Sequence, residues 1–370
     1  MRLSWFIPPK TGGDLFKMEQ EKDYASLFCY RNLYLSYIKA RRGKRWSDEV
    51  VSYSLNPERN LHLLERQRRK KEYPFGGYHS FPVREPKERR IQAIHFQDRV
   101  LRHCLCDFYL IPLLERHLIY GNAATRAGKG TDFARKRRKR FRNRLFLETC
   151  SNDGYVLKFD IHHYFPSISH VCLKEKLSRI ILDKDIRDYV FFLIDTYHEE
   201  GDPDRGLPIG NQLSQCCGLL YLDKTDRIIK EQYRFPFYSR YRDDGIVISE
   251  NKVKLKECLA SIKERLCKDR LLLNPKTRIF SLSEGFEYLG FRYFRKKDGR
   301  IIQVLKKKKK ERILRFIKRK IGTEGGYDPL FYEDYLKRGD NYSFLKKIKG
   351  ICSAGKRETD TLNPKAEESE

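Results

Sequence analysis

The chain has no apolar run long enough to cross a membrane as a helix, so a helical membrane protein is excluded. Met1-Arg2-Leu3-Ser4-Trp5-Phe6-Ile7-Pro8-Pro9 holds too short an apolar core for a secretory signal. Cysteine is scattered. The 370 residues carry ten, with Cys104 and Cys106, and Cys216 and Cys217, the nearest pairs and no Cys-x-x-Cys spacing. That pattern makes neither a secreted disulfide framework nor a supported zinc site, and it suits reduced, buried thiols in a cytoplasmic protein. His103 beside Cys104 is a weak metal pair, and the adjacent His162 and His163 are expected to point apart. Acidic charge is short as well: 50 Asp and Glu stand against 78 Lys and Arg, a net charge of +28. A field of that sign and size favours a polyanionic partner, nucleic acid before an acidic membrane surface.

What is present is globular. Hydrophobic residues make up 40% and aromatics 13%, enough for a substantial core shared by two or three subdomains. Apolar residues recur at helical spacing over 14–72 (Leu27, Tyr30, Leu33, Tyr34, Ile38, then Leu61, Leu63, Leu64). The basic residues between them, Arg41 to Arg45 and Arg66 to Lys71, read as solvated faces. From residue 73 the period changes. Phe75–Val83 and Arg89–Ile94 read as a hairpin, with Lys87, Arg89 and Arg90 at its tip, where forked donors suit phosphate oxygens. Residues 98–118 read as a helix. Gly128-Lys129-Gly130-Thr131 follows in a loop that lacks the P-loop spacing but feeds a helix N-terminus, a place for a strand phosphate. The densest basic run comes next, with Arg135, Arg137, Arg138 and Arg140, and is read as a nucleic-acid backbone contact together with Lys129.

The acids in the second half carry the chemistry. Tyr155–Phe159 is a short apolar strand ending in Asp160, and a helix is expected to start near Ser169. Arg205–Gln215 is a Gly- and Pro-containing loop able to lie close to a planar base. Tyr238–Ser249 reads as strand, tight turn, strand, with Asp243 and Asp244 together at the turn. Adjacent acids repel unless a cation sits between them. A helix at 251–269, a strand over 271–280, a hairpin over 286–293 and basic helices beyond Arg300 complete the pattern. A last helix is expected over 342–351, with a disordered tail from Ser353. One strand-end carboxylate and a hairpin pair suit two divalent cations that polarise an attacking hydroxyl and a leaving pyrophosphate.

In combination these motifs resemble the reverse transcriptases over about residues 60–295. Phe159-Asp160 with Tyr164-Phe165 looks like the first catalytic motif. Leu207-Pro208-Ile209-Gly210 looks like the substrate-pocket motif, Tyr241-Arg242-Asp243-Asp244 like the Tyr-x-Asp-Asp box, and Leu289-Gly290 like the primer grip. The resemblance implies an α+β right-hand polymerase: an N-terminal helical extension over 1–72, fingers over 73–150, a palm with an antiparallel sheet flanked by helices over 151–295, and a basic helical thumb over 296–352, before the tail at 353–370. It implies Asp160, Asp243 and Asp244 as ligands of two Mg2+ ions (Mn2+ as a substitute), with the Ile161 carbonyl as a further ligand. Phe165 matches the gate against the ribose 2′-hydroxyl. Lys87 with Arg89 or Arg90 matches the triphosphate grip, and Lys276 an acid for the leaving pyrophosphate. Pro208, Ile209, Gly210 and Gln215 line the nucleotide pocket. Tyr241, Leu289, Gly290, Lys306 and Lys307 join the nucleic-acid contacts.

Ile209-Gly210-Asn211-Gln212-Leu213-Ser214-Gln215 departs from the commoner Gln-Gly…Ser-Pro pattern and is similar to the enzymes of diversity-generating retroelements, as are Phe96-Gln97-Asp98-Arg99-Val100 and Gly128–Thr131. That similarity implies error-prone copying of a template RNA into cDNA from dNTPs, with a small basic accessory protein. The other readings are a defence-associated, retron-like or group II intron-like reverse transcriptase, and, from a different class, a catalytically silent RNA-binding protein.

Overall fold

The computed structural model describes residues 23–72, 75–84, 88–126, 128–149, 154–295, 301–320, 333, 336–337 and 339–362. The N-terminal helices are α1 (Tyr30–Ala40), α2 (Asp48–Leu55) and α3 (Pro57–Arg69). They pack through Leu33, Tyr37, Val50, Tyr53, Leu61 and Leu64, each at most 9% exposed, so the helical period marks a true core face. One basic residue departs from the expected solvated face. Arg68 is buried, its guanidinium 4.1 Å from the ring centroid of Tyr189, because an aromatic cage from distant helices receives it.

The hairpin expected after residue 73 is β1 (Tyr78–Val83) paired antiparallel with β2 (Arg89–Ile94). Lys87 lies outside the described residues. The helix expected over 98–118 is α4 (Phe96–Leu105), a π-helical turn at Cys106–Leu110, and α5 (Ile111–His117). The basic helix α6 runs Thr131–Thr149.

Four strands form the central antiparallel sheet: β3 (Tyr155–Phe159), β4 (Tyr238–Tyr241), β5 (Asp244–Ser249) and β6 (Arg278–Ser281), in the order β4-β5-β3-β6. The strand expected over 271–280 thus narrows to its last part, because Asn274 and Lys276 turn back on the Asn274 side chain instead of pairing in a ladder. Around the sheet pack α7 (His170–Ser178), α8 (Lys184–Asp195), α9 (Gln212–Tyr221) and α10 (Lys252–Lys268). Asp183, Asn211 and Asn251 each accept an N–H of the first turn of their helix, which fixes where α8, α9 and α10 begin. The mixed helical and antiparallel content agrees with the expected α+β architecture.

A second, three-stranded sheet joins β7 (Phe286–Tyr288), β8 (Phe291–Arg295) and β9 (Ile301–Leu305). Strand β9 stands where helix was expected: Ile301-Ile302-Gln303-Val304-Leu305 is β-branched and alternating, and the lysines that follow belong to α11 (Lys307–Lys320). The last helix, α12, runs Tyr342–Leu362, so the stretch expected to be disordered after Ser353 begins as helix. Among the described residues no helix is long and apolar enough to cross a membrane.

Strand β5 lies between β4 and β3 and needs one glycine. Phe159 faces Gly245 across the β3–β5 ladder, and a Cβ at Gly245 would sit 2.1 Å from the Phe159 ring. Gly245→Ala is therefore expected to cost about 1–3 kcal/mol by overpacking, read from urea unfolding midpoints. A midpoint equal to that of the unsubstituted protein would show that the ring moves aside freely.

Candidate active site

Asp160 follows the last residue of β3, and Asp244 opens β5. Phe159 is paired with Gly245, so one step along the same antiparallel register brings Asp160 and Asp244 to neighbouring strand ends, about 5 Å apart in the backbone. Asp243 occupies the two-residue turn between Tyr241 and Asp244. Asp160 and the adjacent pair Asp243 and Asp244, distant from it in sequence, thus meet at one end of the sheet, partly exposed. Lys158 Nζ lies 4.0 Å from Asp244 Oδ2. Among the described residues the acidic and His or Cys side chains form no closed cluster of three metal ligands. The donor set is nonetheless all carboxylate oxygen, the chemistry hard divalent cations take.

The turn is held from behind by a buried ion pair. Arg240 and Asp226 both have fully buried side chains. Arg240 donates from Nε and Nη2 to Asp226 at 2.8 and 2.6 Å, from Nη2 to the Leu219 carbonyl at 3.0 Å, and from Nη1 to the Arg242 carbonyl at 2.7 Å. The Tyr238 hydroxyl donates to Asp226 Oδ1 at 2.5 Å. Burial by itself lowers the pKa of the Arg240 guanidinium, but Asp226 outweighs it and the net shift is upward, so the cation is permanent. The tip it holds is strained: Arg242 has φ +58°, a left-handed conformation costing a residue with a side chain about 1 kcal/mol or more.

Behind Asp160 the chain turns through Ile161, buried and bridged to Leu273, into a one-turn helix at Tyr164–Ser167. The Tyr164 hydroxyl donates to the Gly218 carbonyl in a short hydrogen bond. Burial pushes its pKa well up, and the nearby Asp243 carboxylate adds to the rise. Phe165 packs on the same glycine, where a Cβ would lie 3.2 Å from its ring. Asn274 N–H donates to the Asp160 carbonyl at 2.7 Å, which ties the turn bearing the exposed Lys276 to the carboxylate strand. His162 and His163, expected to point apart, have ring centroids only 4.2 Å apart, edge to face.

The pocket loop is fastened to β2. Gln92 N–H donates to the Ile209 carbonyl at 3.0 Å, and Gly210 has φ +118° with Ile91 so close that a Cβ would lie 2.9 Å from it. Pro208 is buried, while Ile209, Gly210 and Gln215 retain exposure. Gly210 and Gln215 line a cavity of about 880 Å³ that also meets Arg242. Six further cations line it: Lys39, Lys44, Arg99, Arg102, Arg126 and Lys129. Burial, then repulsion from Arg99, holds the pKa of Lys44 below the usual lysine range; burial, then Arg126, does the same to Lys129. Cations gathered on one cavity wall mark a candidate anion site. Sequence reasoning missed the cations before residue 129, because Lys39 on α1 and Arg99 and Arg102 on α4 read as ordinary helix positions, and Lys44 and Arg126 as loop residues. It also missed Arg240 with Asp226, for which one signal existed: a charged residue inside a strand of buried neighbours.

The other expected contacts divide. Arg89, Arg90, Arg140 and Lys307 are exposed. Lys129 lies 4.5 Å from the Tyr120 ring centroid, and Arg137 lies between Tyr120 and Phe141 at 4.9 and 4.7 Å, half-buried. Arg135 does not fit an exposed backbone contact: it is buried, paired with Asp132 and 5.0 Å from the Phe291 ring centroid. The side chain of Arg138 lies outside the described residues. Tyr241 is half-buried beside the acids. Leu289 and Gly290 form the left-handed turn between β7 and β8, φ +45° and +84°. Lys306 is bound to Glu287 at 2.5 Å, on the strand before that turn.

Residues 110–293 match the family model described as reverse transcriptase (RNA-dependent DNA polymerase). No curated protein matches the chain. Similar solved structures include apo telomerase from Candida tropicalis truncated from its C-terminal domain, 17% identical over 62% of this chain and 54% of that one, with a TM-score of 0.46. Apo telomerase from the same organism is 16% identical over 59% of this chain and 47% of the other, with a TM-score of 0.44. The chain spans about half the length of these telomerase chains.

Proposed function

We propose that the chain, whose residues 110–293 match the reverse transcriptase family model, is an RNA-directed DNA polymerase, a nucleotidyltransferase, that copies an RNA template into cDNA at Asp160, Asp243 and Asp244. The observation that carries the reading is the β3–β5 register, in which Phe159 faces Gly245 and the three acids share one sheet edge. These carboxylates, with the Ile161 carbonyl, would hold two divalent cations of the Mg2+ type, which when bound activate the primer hydroxyl and stabilise the leaving pyrophosphate. The protein's own residues do the positioning. Pro208, Ile209, Gly210 and Gln215 bound the nucleotide, Phe165 gates the ribose, Arg89 and Arg90 with Lys87 grip the triphosphate, and Lys276 supplies a proton to the leaving group. Lys129, Arg137, Arg138, Arg140, Tyr241, Leu289, Gly290, Lys306 and Lys307 contact template and primer.

Within that class we assign the chain to the error-prone enzymes of diversity-generating retroelements, working with a small basic accessory protein. The support is the aliphatic Ile209, whose backbone is fixed by Gln92 but whose side chain offers the nucleotide no hydrogen bond.

Asp243→Ala tests the chemistry. Extension of a primed RNA with dNTPs and Mg2+ is expected to vanish while RNA affinity stays within a fewfold of the unsubstituted protein; extension by the variant at the original rate would refute the assignment. Sequencing of the cDNA tests the subgroup. Misincorporation is expected to concentrate opposite template adenines, and equal accuracy at all four bases would remove the chain from it.

A further inference from the structure

The carboxylate edge and the basic cavity share one residue. Arg242 sits in the turn with Asp243 and also lines the 880 Å³ cavity beside Gly210 and Gln215. Its backbone is left-handed at φ +58°, where a glycine would be at ease, yet a long cation occupies it. Arg240 clamps its carbonyl at 2.7 Å, so the backbone there is pinned from the core side. The side chain stands differently. Its Nε is enclosed and meets no hydrogen-bond partner, and its guanidinium stands 5.8 Å from the Tyr241 ring centroid. No carboxylate among the described residues pairs with it, although Asp243 and Asp244 are its neighbours in sequence. A guanidinium held at the wall of a cation-lined cavity, in no ion pair with the acids beside it, is arranged for an oxyanion that arrives with the substrate.

We propose that Arg242 is a phosphate-binding residue that fixes a substrate phosphate at the boundary between the carboxylate edge and the basic cavity. The proposal rests on the polymerase reading for the identity of the substrate, and two sources share the chemistry: the triphosphate of the incoming nucleotide and a phosphodiester of the bound strand.

The position offers a clean test because stability and binding are expected to diverge. Arg242→Gly removes the charge and relieves the left-handed backbone, so its melting temperature should equal or exceed that of the unsubstituted protein. Arg242→Gln keeps the length and loses the charge, and Arg242→Lys keeps a charge without the fork. Primer extension gives KM for dNTP and kcat, and titration of a primed RNA over a salt series gives Kd and its salt slope. If the phosphate is the nucleotide's, KM rises about tenfold or more in the glycine and glutamine variants with Kd unchanged. If it belongs to the strand, Kd rises by a similar factor and the salt slope falls by about one. Arg242→Lys restores part of either loss. Glycine and glutamine variants whose KM, Kd and salt slope all stay within twofold of the original would overturn the proposal. Should the unsubstituted protein bind primed RNA without extending it, the polymerase reading fails, and the salt series alone decides whether Arg242 binds phosphate.

Discussion

The buried pair of Arg240 and Asp226 is the constraint on which the site depends. Taking both charges out of water costs several kcal/mol, and mutual attraction offsets that only when every remaining donor and acceptor is used. Here four of the five guanidinium N–H groups have a partner. Asp226 receives Arg240 twice and Tyr238 once, and Arg240 gives two further N–H groups to the carbonyls of Leu219 and Arg242. Leu219 belongs to α9, the helix that begins at the pocket loop, and Arg242 belongs to the turn that carries Asp243. One guanidinium therefore ties the helix that begins at the pocket loop to the carboxylates. Such a pair contributes more to position than to stability.

The pocket loop has its own supports, and they reach far along the chain. Asn211 caps α9, Gly210 allows β2 to approach, and Gln92 holds Ile209. Gln212 donates to Asp107 at 2.6 Å, and Lys39 pairs with the same carboxylate at 2.6 Å. Asp107 lies in the π-helical turn, where the widened backbone redirects side chains off the regular helical face. Helix α1, which precedes the matched family region, is by this route tied to the pocket loop.

The sequence displayed the sheet edge better than what surrounds it. Tyr155–Phe159 and Tyr238–Ser249 are short, apolar and bounded by turn residues, so strands β3, β4 and β5 and their acids were legible from local pattern. Register was not: that Phe159 faces Gly245 depends on a contact across the sheet. The basic residues were the hardest to place. Arg68 and Arg135 look like their exposed neighbours but are buried over Tyr189 and Phe291, partners distant in sequence. Strand β9 was hidden by the lysine run after it, since charge drew attention from the alternation of Ile301–Leu305. Arg242 read as the variable position of a motif, and only its left-handed backbone and the cavity beside it gave it a role.

The Arg240 guanidinium imposes the geometry of the Asp243-Asp244 turn. Arg240→Lys keeps the buried positive charge but cannot reach Asp226, Leu219 and Arg242 together. Single-turnover incorporation of the first nucleotide on a primed RNA, at saturating dNTP, measures the consequence directly. A fall on the order of a hundredfold with RNA affinity preserved is expected, the usual cost of about an ångström of misplacement at reacting groups. A folded Arg240→Lys protein that incorporates at the original rate would contradict it.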